Sequence, residues 1–167
     1  MGPLSAQVEG VLSFMDRGSR LVCEAYLCPP VGRIMSIDFG LKRTGLAVTD
    51  PLQIIVQGLD TVDTSDLDSF LDQYLFKEPV DMIVVGYPFL DGNWGDKNFR
   101  LKLDELILRI QKLYPAIPVV KQDERYSSAT AKDIILRSGK TRKQRQDKRL
   151  LDKTSAVVIL QEYLGHI

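Results

Sequence analysis

Acidic residues stand at three places in this chain where the surrounding pattern leaves little room for a charge. Asp38 closes the apolar run Ile34-Met35-Ser36-Ile37 and is followed by Phe39-Gly40. Asp123 and Glu124 follow the run Pro118-Val119-Val120-Lys121-Gln122. Asp152 shares the helical spacing i, i+4, i+7, i+11 with Ala156, Ile159 and Tyr163, which form an inward stripe. A carboxylate taken out of water is costly unless it is paired or bound to a metal. Converging carboxylates offer the oxygen donors that hard divalent cations such as Mg²⁺ prefer. The chemistry to test first is metal-assisted attack on a phosphodiester.

Each acid also has a plainer explanation. An isolated Asp-x-Gly, as in Asp38-Phe39-Gly40, is more often a turn former. In its favour, ligands of open α/β sheets gather beyond the carboxyl ends of the strands, where Asp38 falls. Successive side chains of an extended segment point to opposite faces, so Asp123 and Glu124 do not both face one ion. The spacing does not say which does, and Asp123-Glu124-Arg125 also reads as an exposed salt-bridge cluster. Asp152 near a helix start is favoured by the helix dipole, which accounts for its presence but not for its inward facing. The loop Gly86-Tyr87-Pro88-Phe89-Leu90-Asp91-Gly92-Asn93-Trp94-Gly95 reads two ways. It is either a tight strand-to-helix connection with one buried aromatic or a groove wall in which Tyr87 or Trp94 stacks on a base. No Gly-Lys-Ser/Thr follows it, so it is not a Walker loop.

The elements that must position these residues follow from the periodicity. Ile34–Asp38 and Gly45–Thr49 are apolar runs separated by Gly40-Leu41-Lys42-Arg43, a hairpin. Gln53–Val56, extending toward Val62, reads as a third strand. Thr64-Ser65 supplies an N-cap for a helix marked by Leu67, Phe70, Leu71, Tyr74 and Leu75. Met82–Val85 is a strand buried on both faces. Leu103, Leu106, Ile107, Ile110 and Leu113 mark a second helix, and Pro118–Gln122 a fifth strand. Ser127-Ser128 caps a third helix that stops at Gly139, and Leu151–Leu164 forms the last. A meander of strands followed by alternating strands and helices predicts an α/β fold with one mixed sheet.

The chain has 167 residues, enough for one well-buried core and short for two. Lys plus Arg and Asp plus Glu are 22 each, so net charge does not argue for or against a nucleic-acid partner. The distribution is more telling: Arg137, Lys140, Arg142, Lys143, Arg145, Lys148 and Arg149 face a single acid, Asp147, in one run. That run is either a solvated loop or a phosphate contact. The single histidine, His166, rules out a Cys₂His₂ zinc site. The two cysteines, Cys23 and Cys28, leave residues 29–167 without disulfides, which fits a reducing cytoplasm. No apolar run approaches the length of a membrane span, and the N-terminus lacks a signal-peptide pattern. Residues 1–32, with Gly2-Pro3, Gly18-Ser19 and Pro29-Pro30, differ from the rest and read as an extension of no assigned role, native or not. A short helix around Val8–Met15 is expected within it.

Four segments in this order resemble the YqgF/RuvX family of pre-16S rRNA nucleases, relatives of RuvC-type Holliday junction resolvases. They are Ile37-Asp38-Phe39-Gly40-Leu41-Lys42-Arg43-Thr44-Gly45-Leu46-Ala47-Val48; Val84-Val85-Gly86-Tyr87-Pro88 with Asp91-Gly92; Asp123-Glu124-Arg125-Tyr126-Ser127-Ser128 with Ala131; and Asp152-Lys153-Thr154-Ser155-Ala156-Val157-Val158-Ile159-Leu160-Gln161. Each is weak alone; together they are specific, and they span Gly32 to Leu164. The resemblance implies an RNase H-like fold, with a five-stranded mixed sheet flanked by helices in residues 33–167. It selects Asp38, Glu124 and Asp152 as a catalytic triad that binds Mg²⁺ or Mn²⁺. It implies a metal-dependent endonuclease acting on structured RNA, with four-way DNA junctions and binding without cleavage as the alternatives. Lys42, Arg43, Arg125, Lys140, Arg142, Lys143, Arg145 and Lys148 are the expected phosphate contacts. Whether the protein is a monomer or a homodimer is left open. Tyr87, Phe89, Leu90 and Tyr126 depart from the family's usual residues, which touches substrate shape more than chemistry. Val31-Gly32-Arg33 aligns with a usual Met-Gly-Arg start, so Val31 is the expected native first residue.

Overall fold

A computed structural model describes residues 32–88, 97–123, 127–137 and 147–167. The helix expected around Val8–Met15, Trp94 and both cysteines lie outside these residues. The strands are β1 (Arg33–Asp38), β2 (Arg43–Thr49), β3 (Val56–Asp63), β4 (Val80–Tyr87) and β5 (Val119–Asp123). The helices are α1 (Leu67–Lys77), α2 (Lys97–Leu113), α3 (Ser127–Arg137) and α4 (Lys148–Tyr163). One five-stranded sheet has the order β3-β2-β1-β4-β5. β1–β2 and β2–β3 are antiparallel, whereas β1–β4 and β4–β5 are parallel. The mixed, helix-flanked sheet expected from the sequence is therefore present.

The sheet is covered on both faces because its central strands are apolar on both. Met35 and Ile37 of β1 and Ile83 and Val85 of β4 pack with Leu67 and Leu71 of α1 and Leu103, Leu106 and Ile110 of α2. Ile34 and Val84 point the other way, toward Ala156, Ile159 and Leu160 of α4. Each such fully buried Leu or Ile contributes roughly 1.5–3 kcal/mol. α3 packs on α4 and buries Ala131 and Ile135. The expected stripe of α2 holds except at its last member, Leu113, which is 52% exposed.

Three expected boundaries are corrected. The third strand begins at Val56, not Gln53. The Asp50 carboxylate accepts the amides of Ile54 and Ile55 at 2.8 and 2.7 Å and bends this run into a turn. Those amides, Ile55 first, hold the Asp50 carboxyl below its usual range. Gln53 there takes a positive φ of 58°. The expected cap at Thr64-Ser65 is instead a 3₁₀ turn, Thr64–Asp66, ahead of α1. The Thr64 hydroxyl donates to the Gly40 carbonyl at 2.7 Å rather than capping the helix. The last helix begins at Lys148, with the Asp147 side chain accepting the Arg149 amide as N-cap.

α4 lies across the sheet, and its C-terminal half carries a titratable strain. Burial, reinforced by the charge of Asp123, raises the carboxyl pKa of Glu162 above 4.5. A raised carboxyl pKa means the folded state binds the proton more tightly than the unfolded one. Its contribution to stability is thus fully present below about pH 4.5 and is lost as pH rises through the folded pKa. Glu162→Gln is expected to raise the melting temperature at pH 7 and to leave it nearly unchanged near pH 4. Thermal unfolding of both proteins across that range checks it; an equal shift at both pH values would refute the charge account.

Candidate metal centre at the strand ends

β1 alternates cleanly: Met35 and Ile37 enter one core, while Ile34 enters the other and the Ser36 hydroxyl donates to the Ala156 carbonyl of α4 at 2.7 Å. The same alternation places half-buried Asp38 on the α4 face, at the carboxyl end of the central strand. That end is shared with the carboxyl ends of β4 and β5, because all three strands run parallel.

The turn after Asp38 is clamped. The Thr64 amide donates to the Lys42 carbonyl at 3.0 Å, and the Thr64 hydroxyl holds the Gly40 carbonyl. A β-carbon on Gly40 would run into the Arg43 carbonyl oxygen, so only glycine permits this turn. The chain then re-enters the sheet, and Gly45 pairs with Asp38 across the ladder.

Gly45 is also the point where α4 meets the sheet. Any β-carbon there would overlap the carbonyl of Asp152. The backbones of Asp38 and Asp152 are thus brought to the same place, with one glycine between them. Further bonds fix the helix: the Thr61 hydroxyl donates to the Arg149 carbonyl at 2.8 Å, and the Lys153 ammonium to the Leu59 carbonyl at 3.2 Å. Asp152 lies in the second turn of α4, beyond the first-turn reach of the helix dipole. Its carboxylate instead meets a cation: Arg43 Nε donates to Oδ2 at 3.0 Å.

The structure brings the backbones of Asp38 and Asp152 together across Gly45 and sets the Arg43 guanidinium on the Asp152 carboxylate. Lys42 and Lys148 are exposed. Glu124, Arg125, Lys140, Arg142, Lys143 and Arg145 lie outside the described residues. Among the described residues no set of three His, Cys, Asp or Glu side chains is grouped to hold a metal. The two acids that are described suit a hard divalent cation. Both are oxygen donors, they flank one glycine, and one of them already holds a positive charge.

Of the two readings offered for Tyr87, the buried aromatic holds and the stacking platform does not. Its ring is only 5% exposed. Lys121 Nζ lies 4.0 Å from the ring centroid and the Arg100 guanidinium 5.5 Å. Asp104 links them, accepting from Lys121 at 2.8 Å and from the Tyr87 hydroxyl at 3.3 Å. A ring covered by two cations is not open to a base. Sequence reasoning missed this cluster because Arg100 and Asp104 sit on α2, and only the fold carries them to the end of β4.

The sheet order, the three parallel strand ends and the helices packed on the sheet define an open, mixed α/β fold. The chain belongs to the RuvX family: the family model described as "RuvX: Holliday junction resolvase" matches residues 32–166. A relative from Porphyromonas gingivalis, named "Putative pre-16S rRNA nuclease", is 44% identical over 136 residues, covering 81% of this chain and 98% of the relative. A relative of the same name from Phocaeicola vulgatus is 46% identical over 134 residues, covering 80% and 96%. Among solved structures, RuvC of T. thermophilus in complex with a Holliday junction substrate aligns at 12% identity with a TM-score of 0.48, covering 80% of this chain and 96% of that one. Among the described residues no helix is long and apolar enough to cross a membrane.

Proposed function

We propose that this chain is a cytoplasmic, metal-dependent endonuclease that hydrolyses phosphodiesters in structured RNA, its reaction being 5′-end processing of pre-16S rRNA. The observation that carries the reading is the meeting of Asp38 and Asp152 across Gly45 at the carboxyl edge of the sheet. The names of the relatives from P. gingivalis and P. vulgatus support the RNA substrate. Asp38, Glu124 and Asp152 would hold the cation, Mg²⁺ or Mn²⁺, through carboxylate oxygens. When bound, such an ion lowers the pKa of a coordinated water and stabilises the oxygen that leaves. The catalytic domain in this reading is residues 33–167, with 1–32 as an extension.

The remaining residues bind and orient. Lys42, on the turn after Asp38, and Lys148, at the start of α4, flank the site and would meet backbone phosphates. Arg125, Lys140, Arg142, Lys143 and Arg145 would extend that contact. Binding through several such cations releases counterions, so affinity should fall steeply with salt. The Thr64 clamp and the Gly45 contact supply rigidity, which matters because a misplacement of about 1 Å can cost on the order of 10²-fold in rate.

A second reading rests on the description of the family model itself, resolution of four-way DNA junctions. It needs paired, symmetric cuts and hence two copies of the site. Incubating the purified protein with a precursor 16S rRNA fragment and with a four-way junction, each with Mg²⁺ and with Mn²⁺, separates the readings. Cleavage of the RNA at its 5′ leader, with the junction left intact, is expected. Symmetric cuts in the junction with intact RNA would overturn the proposal. Binding of either without cleavage would make the protein a nucleic-acid-binding module.

A further inference from the structure

Arg43 was expected to hold phosphate, yet its guanidinium rests on Asp152, 3.0 Å from Oδ2. We propose that Arg43 is the resident counter-ion of the metal centre and competes with the divalent cation for Asp152. This inference rests on the reading of Asp38 and Asp152 as metal ligands.

Three features support competition rather than a passive ion pair. The first is charge. An arginine guanidinium does not lose its proton in proteins, so it remains a fixed positive charge beside any cation that arrives. Asp152 Oδ2 cannot accept the Nε–H and coordinate a metal along the same direction, and the two cations repel at that distance.

The second is mechanical. The backbones of both partners are pinned. Arg43 lies between Gly40, whose turn closes on the Arg43 carbonyl, and Thr44, which is fully buried with its hydroxyl 3.0 Å from that of Thr64. Asp152 is held against Gly45. The side chains are not pinned: they keep 30% and 26% of their surface exposed. Passing from the arginine-bound to the metal-bound form therefore needs only side-chain rotations, with no change of fold.

The third is the commitment of two neighbouring cations on α4. Lys153 donates to the Leu59 carbonyl, and Arg149 faces Asp63 at 3.7 Å. Neither is placed to substitute for Arg43 at Asp152. A metal that displaces Arg43 leaves it next to exposed Lys42, where a substrate phosphate would find both. One residue thus serves the empty site and then the loaded one.

The sign of the effect separates this role from the ordinary one. If Arg43 merely held Asp152 in its coordinating pose, removing it would weaken metal binding. As a competitor, its removal must strengthen it. Calorimetric titration of Mn²⁺ into the metal-free full-length protein is the readout. Arg43→Gln is expected to bind Mn²⁺ about fivefold more tightly than the parent, the scale of one partly exposed ion pair. Arg43→Lys, which keeps the charge but loses the planar fork, should fall between them. Melting temperatures of both variants establish that each is folded. Unchanged or weaker Mn²⁺ binding in folded Arg43→Gln overturns the proposal. Asp38→Asn and Asp152→Asn, titrated in parallel, test the reading beneath it. If both weaken Mn²⁺ binding while Arg43→Gln does not strengthen it, only the counter-ion role falls. If neither weakens it, the metal centre itself is misplaced.

Discussion

Asp38→Asn should abolish nuclease activity while leaving the fold intact. The expected loss is at least about 10³-fold in cleavage rate, or ~4 kcal/mol of transition-state stabilisation. The reason is local. Asn keeps the shape of Asp and one carbonyl oxygen, but it carries no charge with which to hold a divalent cation. Asp38 is half-buried at the end of a buried strand segment, Ile34 to Ile37, which anchors β1 in both cores. Thermal unfolding should therefore shift by no more than a few degrees. Single-turnover cleavage of precursor rRNA, with melting measured on the same preparation, checks both halves. A folded Asp38→Asn protein that cuts at the parental rate would remove Asp38 from the site.

Gly45→Ala should be nearly as damaging by another route. One methyl group there collides with the Asp152 carbonyl, and backbone on both sides leaves no flexible atom to yield. The helix must lift from the sheet, at a cost of about 3 kcal/mol, typical of overpacking at a close contact. For a domain of this size that lowers the melting temperature by roughly 6–12 °C. Activity should fall further than stability alone explains, because the displaced backbone is that of Asp152. Gly58 supplies the control. A β-carbon there meets Cε at 2.6 Å and Cγ at 2.7 Å of Lys153, so that side chain must shift and give up its bond to the Leu59 carbonyl, but the nearest atoms are side chain and not backbone. Gly58→Ala should stay within about 1 kcal/mol of the parent and keep its activity. Equal melting temperatures for the two variants would show that the Gly45 contact is not what seats α4.

The readability of the chain varied with the range of the forces involved. β4 was legible because Met82–Val85 is continuously apolar, and burial of Val84 on one face and Ile83 and Val85 on the other follows directly. The inward stripe of α4 was legible because Ala156 and Ile159 repeat at helical spacing. The start of β3 was not. Ile54-Ile55-Val56 has the look of a strand, but a carboxylate four and five residues upstream captures the amides of Ile54 and Ile55 and leaves those side chains 63% and 65% exposed. Propensity cannot see a single side chain winning a local competition for backbone donors. Thr64 misled for the same reason: its hydroxyl found a carbonyl twenty-four residues away in sequence instead of its own helix.

Within the site the division is similar. Sequence alone determined that Asp38 ends an apolar strand and that Asp152 lies on an inward helical stripe, since both follow from periods of two and 3.6 residues. It could not choose between Asp123 and Glu124 by spacing, and the resemblance to the family made that choice. The tertiary structure decided what no period encodes. It placed Gly45 between Asp38 and Asp152, turned Arg43 onto Asp152, and covered Tyr87 with Lys121 and Arg100. Those contacts join residues up to 109 positions apart. They depend on the crossing of α4 over β2, which is set by the packing of two whole surfaces and not by any local run of residues.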